Sequence, residues 1–199
     1  MPRLLLATTN KGKAAEYRDL LKGLDLELVT HDQAGISGEA EENYNTFEEN
    51  ARSKAEFYSA LGGLLTLADD SGLEVDALGG EPGVRSSRYA GDNATDPERV
   101  SFLLSKLRDV PHAMRQARFR CVIAIAQPGR TTQTAEGTCE GFIALEPQGD
   151  NGFGYDPIFF LPEYNQTIAK LPPDVKNLIS HRGRAADKAR RLLAALTGT

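Results

Sequence analysis

The sequence predicts an α/β fold built on a mixed β-sheet that is flanked by helices. Short apolar runs, typical of buried strands, are interspersed with segments whose apolar residues recur every three or four positions, as in helices. The two kinds of segment are intermixed along the chain, which favours one sheet covered by helices over separate α and β parts. With 199 residues, 40% of them hydrophobic, the chain is long enough for a single domain over 1–199 with a sizeable core.

The first elements predict a strand, a polar turn, a helix and a second strand. Residues 4–7 form a continuous apolar run, as expected of a strand covered on both faces. A polar turn over 8–13 separates this strand from a helix that should end near Gly23, and residues 26–30 alternate like a strand. The helix is indicated by apolar residues at helical spacing: Ala14, Tyr17, Leu20, Leu21 and Leu24.

The next elements carry clear boundary signals. Thr46 and Glu49 match a capping box, and the helix that they open should end at the glycine pair 62–63. Residues 64–68 predict an apolar strand that runs into a turn over 69–72. After a loop rich in Gly and Pro over 79–97, Asp96 is expected to cap a helix that continues to residue 107.

The remaining elements are a strand over 117–126 and one or two strands over 131–145. A glycine-rich turn over 151–157 precedes a short strand over 158–161. The last element is a helical segment over 175–196, which Gly183 is expected to interrupt.

Composition excludes several classes of protein. The formal net charge is −5, which argues against a globally basic nucleic-acid binder. No run of 18 apolar residues predicts a membrane span, and the apolar start is too short for a signal peptide, so we expect a cytoplasmic protein without a membrane partner. Cys121 and Cys139 are too few for a disulfide scaffold, and their places in strands predict small buried side chains.

Two polar segments could carry chemistry near the phosphates of a ligand. The turn over 8–13 lies between a strand and a helix, where free backbone N–H groups and the helix dipole favour an anion, although a solvated helix start is an equally simple interpretation. Asp69 and Asp70 could hold a divalent cation, with a further carboxylate from Glu39, Glu41 or Glu42. For residues 69–72, a plain turn remains open as the alternative.

Two further segments could bind a base or additional phosphates. In 153–157, glycine between two aromatic residues would let a flat base approach the backbone and stack, but a hydrophobic turn has the same composition. The stretch 175–191 carries six basic residues against one acid, a local charge of +5. A phosphate-binding cluster is one interpretation, whereas a solvated helix face better explains Lys188, Arg190 and Arg191.

Taken together, these segments resemble the inosine/xanthosine triphosphate pyrophosphatases, which act on non-standard purine nucleoside triphosphates. The resemblance covers nearly the whole chain and keeps the family's order and spacing. It is carried by LLLATTNKGKAAEYRDLL, TFEENARSKA, LADDSGLEVDALGGEPGVRSSRYAG, QARFRC, GFGYDPIFF and ISHRGRA.

The resemblance implies two lobes with the nucleotide in the cleft between them, a homodimer, and Mg²⁺-dependent cleavage of ITP, dITP or XTP to the monophosphate and pyrophosphate. It implies that Asp70 is the catalytic residue and a metal ligand, and that Glu41 is a second metal ligand. The residues that it implies for substrate binding are Thr8, Thr9, Asn10, Lys11, Gly12, Lys13, Ser71, Phe153, Gly154, Tyr155, Asp156, Lys176, His181 and Arg182.

Two rival functions are distinguishable. A Maf-type pyrophosphatase acts on pyrimidine triphosphates, but those relatives open with a loop rich in Ser, Pro and Arg, unlike the TTNKGK of this chain. A non-catalytic nucleotide-binding or RNA-associated module could use the basic stretch 175–191 and would need neither the acidic pair 69–70 nor a metal.

Overall fold

A computed structural model describes residues 1–198 of the chain. The strands are β1 (Arg3–Leu6), β2 (Glu27–Val29), β3 (Leu65–Val75), β4 (Gln116–Ala126), β5 (Gln133–Ile143), β6 (Phe159–Leu161) and β7 (Gln166–Thr167). The α-helices are α1 (Lys11–Leu20), α2 (His31–Ala34), α3 (Phe47–Gly62), α4 (Asp96–Lys106), α5 (Pro173–Ile179) and α6 (His181–Thr197).

The strands form one mixed sheet in the order β2-β1-β3-β4-β5-β6-β7. β1 pairs in parallel with both β2 and β3, whereas β6 pairs antiparallel with β5 and β7. The apolar run in β1 is buried from Leu4 to Leu6, as expected of a strand with a neighbour on each side. The mixed sheet predicted from the sequence is therefore confirmed.

The chain divides into two compact units, and each has its own apolar core. Unit 1 comprises Met1–Asp70, Cys121–Gly137 and the segment that begins at Arg182; unit 2 comprises Ser71–Arg120 and Thr138–His181. Aliphatic side chains of β1, β3 and β4 form the first core together with the alanine-rich face of α6. The second core is formed by α4 and by the aromatic side chains of β4 and β6.

The predicted turn over 69–72 is wrong, because β3 continues through it to Val75. Aspartate is uncommon in strands, and Asp, Ser and Gly are common in turns. The local sequence therefore indicates a turn. The strand persists because Asp69 is ion-paired within unit 1, which offsets the cost of burying its charge.

Helix boundaries also differ from the predictions. The first helix begins at Lys11, inside the predicted turn, because the Asn10 side chain caps it. The cap of α4 is Thr95 and not Asp96, since Glu98 completes a capping box with Thr95.

The C-terminal helical segment is interrupted at Ser180, which is extended, and not at Gly183, which lies inside α6. Within residues 131–145 the structure has a single strand, β5, which spans Gln133–Ile143. Thr46 caps α3 as expected, and that helix ends with Gly63 in the left-handed conformation.

The two cysteines agree with the expectation from composition. Cys121 and Cys139 are buried and not disulfide-bonded, as predicted. Across residues 1–198, no helix combines the length and apolar character that crossing a membrane requires.

Candidate active site

The turn after β1 forms the start of α1 in unit 1. The Asn10 Oδ1 atom accepts a hydrogen bond from the Lys13 backbone N–H at 3.0 Å, and the Thr8 hydroxyl accepts from the Asn10 N–H at 3.2 Å. Thr9, Asn10 and Lys11 are exposed, whereas Thr8, Gly12 and Lys13 are half-buried. This helix start presents backbone N–H groups and two lysines, a combination that suits a phosphate.

Asp69 is the centre of a buried ion-pair cluster in unit 1. Its Oδ2 atom lies 2.9 Å from Lys13 Nζ and 3.8 Å from Arg182 Nε, and its side chain is 1% exposed. Burial acts to raise the pKa of Asp69, but Lys13, Arg182 and Lys54 outweigh it and lower the pKa to about 2. Asp69 is thus a permanent anion that fixes cations.

Asp70 has a different environment, although it is the next residue. Successive residues of a strand point to opposite faces, and the Asp70 Oδ2 atom accepts a hydrogen bond from Asn50 Nδ2 at 3.0 Å. Burial is the largest influence and raises its pKa to about 6, aided by the charge of Asp69 and opposed by Lys13 and Lys54. A carboxylate in this range is suited to accept a proton near neutral pH.

Asn50 and Lys54 of α3 support this acidic pair and were not predicted from the sequence. Lys54 Nζ donates to the Asp69 carbonyl oxygen at 3.2 Å and forms a 2.7 Å ion pair with Glu42. Asn50 is held in place because its side chain also bonds to the backbone of Tyr44. The available signal was positional, since these two polar residues lie one turn apart among the buried positions of α3.

The loop before α3 carries three glutamates, Glu39, Glu41 and Glu42, whose carboxylates lie in two different environments. Glu42 is engaged by Lys54, whereas Glu39 and Glu41 are exposed. Within residues 1–198, no group of three or more His, Cys, Asp or Glu side chains is arranged to hold a metal. The donors nevertheless fit Mg²⁺, which is commonly bound by one or two carboxylates together with substrate phosphates and water.

Arg182 is buried at the first turn of α6. Its guanidinium Nη1 atom lies 2.6 Å from Glu16 Oε2, and its Nε atom faces Asp69. The Arg182 side chain is 2% exposed. Its guanidinium carbon lies 6.0 Å from the centroid of the Tyr17 ring. Within unit 1, Arg182 thus joins the cluster around Asp69.

In unit 2, the segment 153–156, named here the base loop, is fixed by carboxylates that accept from its backbone. The Asp156 carboxylate accepts from the Phe153 N–H at 2.9 Å, and Asp96 accepts from the Gly154 N–H at 2.7 Å. The Tyr155 hydroxyl donates to the Ser86 carbonyl oxygen at 2.9 Å. The N–H groups of Phe153 and Gly154 therefore hold the loop in shape.

Lys176 and Asp156 form a buried ion pair next to the base loop. Lys176 Nζ also lies 4.8 Å from the centroid of the Phe153 ring, a cation–π distance. Gly152 has φ +80°, and a Cβ there would be 2.1 Å from Asp156 Oδ2. Only glycine fits beside this pair without displacing it.

The other residues implied for substrate binding are also located by the structure. His181 in unit 2 stacks on Phe119, with ring centroids 4.6 Å apart and planes at 15°. Ser71 follows Asp70 along β3 and is half-buried.

The basic residues near the C-terminus divide into two kinds. Lys188 and Arg190 donate to backbone carbonyl oxygens within unit 1, and Arg191 pairs with Asp187 on the surface of α6. Lys188 and Arg191 are exposed, in agreement with the sequence-based interpretation of a solvated helix face, whereas Arg190 is half-buried. Lys176 and Arg182, by contrast, are buried and ion-paired.

An α/β protein with two lysines at a helix start and two carboxylates beside them has the groups expected for binding a phosphate and a hard cation. The model of the Ham1 family matches residues 4–192, so the chain belongs to the Ham1 family. A relative from Desulforamulus reducens named dITP/XTP pyrophosphatase is 52% identical over 191 residues, covering 96% of this chain and 95% of its own.

Two further relatives also match this chain over nearly its whole length. A dITP/XTP pyrophosphatase from Bacillus subtilis is 44% identical over 195 residues, covering 98% of each chain. The solved structure of the Staphylococcus aureus Ham1 protein superposes with a TM-score of 0.87 at 38% identity, covering 98% of this chain and 99% of that one.

Proposed function

We propose that this chain hydrolyses the non-standard purine nucleoside triphosphates ITP, dITP and XTP to the nucleoside monophosphate and pyrophosphate. The names and near-complete coverage of its relatives support this activity. The observation that carries it is the division of labour in unit 1, where Asp69 fixes Lys13 while the adjacent Asp70 accepts a hydrogen bond from Asn50 and has a raised pKa. Removal of such nucleotides would keep them out of DNA and RNA.

The triphosphate is proposed to bind at the start of α1. A triphosphate is a polyanion, and backbone N–H groups at a helix N-terminus together with lysines attract such a group. Asn10 and Thr8 hold the turn in shape, and Lys13 is oriented by Asp69. Thr9, Lys11 and Gly12 complete the proposed phosphate contacts, with Ser71 as a further substrate contact.

Asp70 is proposed to act as the general base. It would accept a proton from water as the water oxygen forms a bond to the α-phosphorus. The bond from that phosphorus to the α–β bridging oxygen breaks, and pyrophosphate leaves with the electron pair. The hydrogen bond from Asn50 orients the Asp70 carboxylate for this transfer.

Asp70 and Glu41 are proposed to hold Mg²⁺. When bound, the ion would neutralise charge on the phosphate oxygens during the reaction. Lys54 keeps Glu42 occupied, and Glu41 is the exposed carboxylate next to it, which supports Glu41 as the second ligand. Removal of the metal with EDTA should abolish pyrophosphate release, and added Mg²⁺ should restore it.

Base recognition is proposed for Phe153, Gly154, Tyr155, Asp156, Lys176, His181 and Arg182. The Phe153 ring offers a stacking surface, and the ammonium group of Lys176 is held next to it. Hypoxanthine and xanthine carry O6 where adenine carries an amine, so a donor aimed at O6 would be left unpaired by ATP. Lys176 is a candidate donor beside the base loop, and Arg182 is stabilised by Glu16.

One assay tests the proposed function. Purified protein is incubated with Mg²⁺ and ITP, XTP, dITP, GTP, ATP or UTP, and released pyrophosphate is measured. We expect release from the first three and much less from the others. A preference for UTP would favour the Maf-type alternative, and no release from any triphosphate would favour a binding module.

We further propose that the chain acts as one pyrophosphatase domain over 1–199, as a cytoplasmic homodimer, without a stable nucleic-acid or membrane partner. Each unit is assembled from segments that are separated along the chain. This supports a single domain and not two domains that follow one another in the sequence. Light scattering at micromolar concentration tests the dimer, and a mass near 21.6 kDa would contradict it.

A further inference from the structure

Asp96 connects helix α4 to the base loop. Its Oδ2 atom accepts a hydrogen bond from the Gly154 backbone N–H at 2.7 Å, and its Oδ1 atom accepts from the Arg99 guanidinium. One carboxylate therefore joins a backbone group of the loop to a side chain one turn along the helix. A hydrogen bond to an ionised acceptor is stronger than one between neutral groups.

The helix that carries Asp96 is itself firmly placed. Thr95 and Glu98 form a capping box at its start, and Val100 and Leu103 are buried in the core of unit 2. Arg99 also donates to the Ser87 carbonyl oxygen at 2.9 Å. Helix α4 is thus a rigid support for the carboxylate of Asp96.

The hydrogen bond from Gly154 to Asp96 fixes the backbone between two aromatic residues. Gly154 lies between Phe153 and Tyr155 and has φ +64°, a conformation that glycine adopts without strain. Tyr155 is anchored by its hydroxyl to Ser86, so fixing the Gly154 N–H leaves little freedom for the backbone that carries Phe153. The orientation of the Phe153 ring therefore depends on Asp96 as well as on Asp156, which accepts from the Phe153 N–H.

We propose that Asp96 is a positioning residue for base recognition: it holds the Gly154 N–H so that the Phe153 ring is already oriented when a purine triphosphate binds. The inference rests on the proposed function, because it assigns a role to a side chain beside the base loop. Asp96 acts through the loop and not on the phosphates, so its loss should change substrate binding more than the chemical step.

The test compares Asp96→Ala, Asp96→Asn and Glu98→Ala in the full chain, with kcat and KM measured for ITP and GTP. Alanine removes the acceptor for the Gly154 N–H, whereas asparagine keeps one oxygen that can accept it. Glu98→Ala is the matched control, because it removes the capping box at the start of the same helix without touching the base loop.

We expect Asp96→Ala to raise KM for ITP about tenfold with kcat changed less than about threefold, and to reduce the preference for ITP over GTP. Asp96→Asn should recover most of this loss, and Glu98→Ala should lower the Tm while leaving KM unchanged. An unchanged KM in Asp96→Ala, an equal fall in kcat, or no recovery by asparagine would overturn the inference.

The activity of the wild-type protein distinguishes a failure of the proposed function from a failure of the role of Asp96. If it releases no pyrophosphate from ITP, XTP or dITP, the proposed function fails. If it is active on ITP and Asp96→Ala retains the wild-type KM, only the role of Asp96 fails.

Discussion

The ion-paired cluster of unit 1 and the base loop of unit 2 use aspartate in different ways. In unit 1, Asp69 pairs with the cationic side chains of Lys13 and Arg182. In unit 2, Asp96 and Asp156 also accept from backbone N–H groups, those of Gly154 and Phe153. The first arrangement sets the position of charges, and the second sets the shape of a loop.

This difference suits the proposed roles of the two regions, phosphate binding in unit 1 and base recognition in unit 2. Phosphates are recognised by charge, and a lysine held by a buried carboxylate presents its charge at a fixed point. A base is recognised by the position of flat surfaces and single hydrogen bonds, so the backbone that carries an aromatic ring must be fixed. Substitutions in the two regions should therefore change different measured quantities: kcat or stability in unit 1, and KM at the base loop.

The largest effect is expected for Asp70→Asn. The amide cannot accept the proton from water, so kcat for ITP should fall about 10³-fold, within the range contributed by general bases. Pyrophosphate release under saturating ITP and Mg²⁺ measures this. Circular dichroism should remain that of the wild type, and a variant with the wild-type rate would refute the role of Asp70.

Asp69→Asn is expected to affect stability most strongly. The Asp69 side chain is 1% exposed, and its loss would leave the charges of Lys13 and Arg182 less compensated. Breaking a buried ion pair in this way costs about 3 kcal/mol, measurable as the free energy of unfolding in urea. The exposed Asp19→Asn serves as control and should change it by less than about 0.5 kcal/mol. Similar values for both variants would show that Asp69 does not organise the cluster.

Gly152→Ala should disturb the base loop more than the phosphate region. A Cβ would lie 2.1 Å from Asp156 Oδ2 and 3.1 Å from Lys176 Nζ, so this ion pair must move. We expect KM for ITP to rise about tenfold, with a loss of about 2 kcal/mol in stability.

The matched control is Gly79→Ala, also at positive φ but with no atom within 4 Å of the added Cβ. It should lose only about 1 kcal/mol from backbone strain and keep the wild-type KM. If both variants raise KM equally, displacement of the ion pair is not the cause.

The smallest effect is expected for Thr95→Ala. The substitution removes the N-cap of α4, which typically costs about 1 kcal/mol of stability. Because Asp96 keeps its bond to Gly154, KM for ITP should not change. Thermal unfolding and steady-state kinetics measure the two quantities, and a raised KM would mean that the cap and the base loop are coupled.

Much of the fold could be predicted from the sequence because its signals are local. Apolar runs and helical spacing indicate β1, α1 and α3, and the pair of Thr46 and Glu49 marks a helix start. The same motif occurs at Thr95 and Glu98, so the true cap of α4 was also present in the sequence. The prediction chose Asp96 because Pro97 follows it directly, and proline is common at the first position of a helix.

The strand through Asp69 and Asp70 could not be predicted, because its cause is not local. Cations from α1 and α6 stabilise Asp69, and local composition carries no trace of them. Likewise, the sequence singled out Asp70 and the base loop, but the supporting roles of Asn50 and Asp96 depend on contacts between distant segments. A site is therefore easier to recognise from its motifs than from the residues that hold them.

The composition of unit 1 has a consequence for synthesis on the ribosome. Lys13, Glu16 and Asp69 are translated well before Arg182, which belongs to a later segment of the same unit. Until that segment is released, Glu16 and Asp69 lack the cation that they share, and α6 cannot fill its part of the core. The proposed phosphate-binding region should therefore mature only after Arg182 has left the ribosome, and ribosome-bound chains that stop short of residue 182 should be inactive.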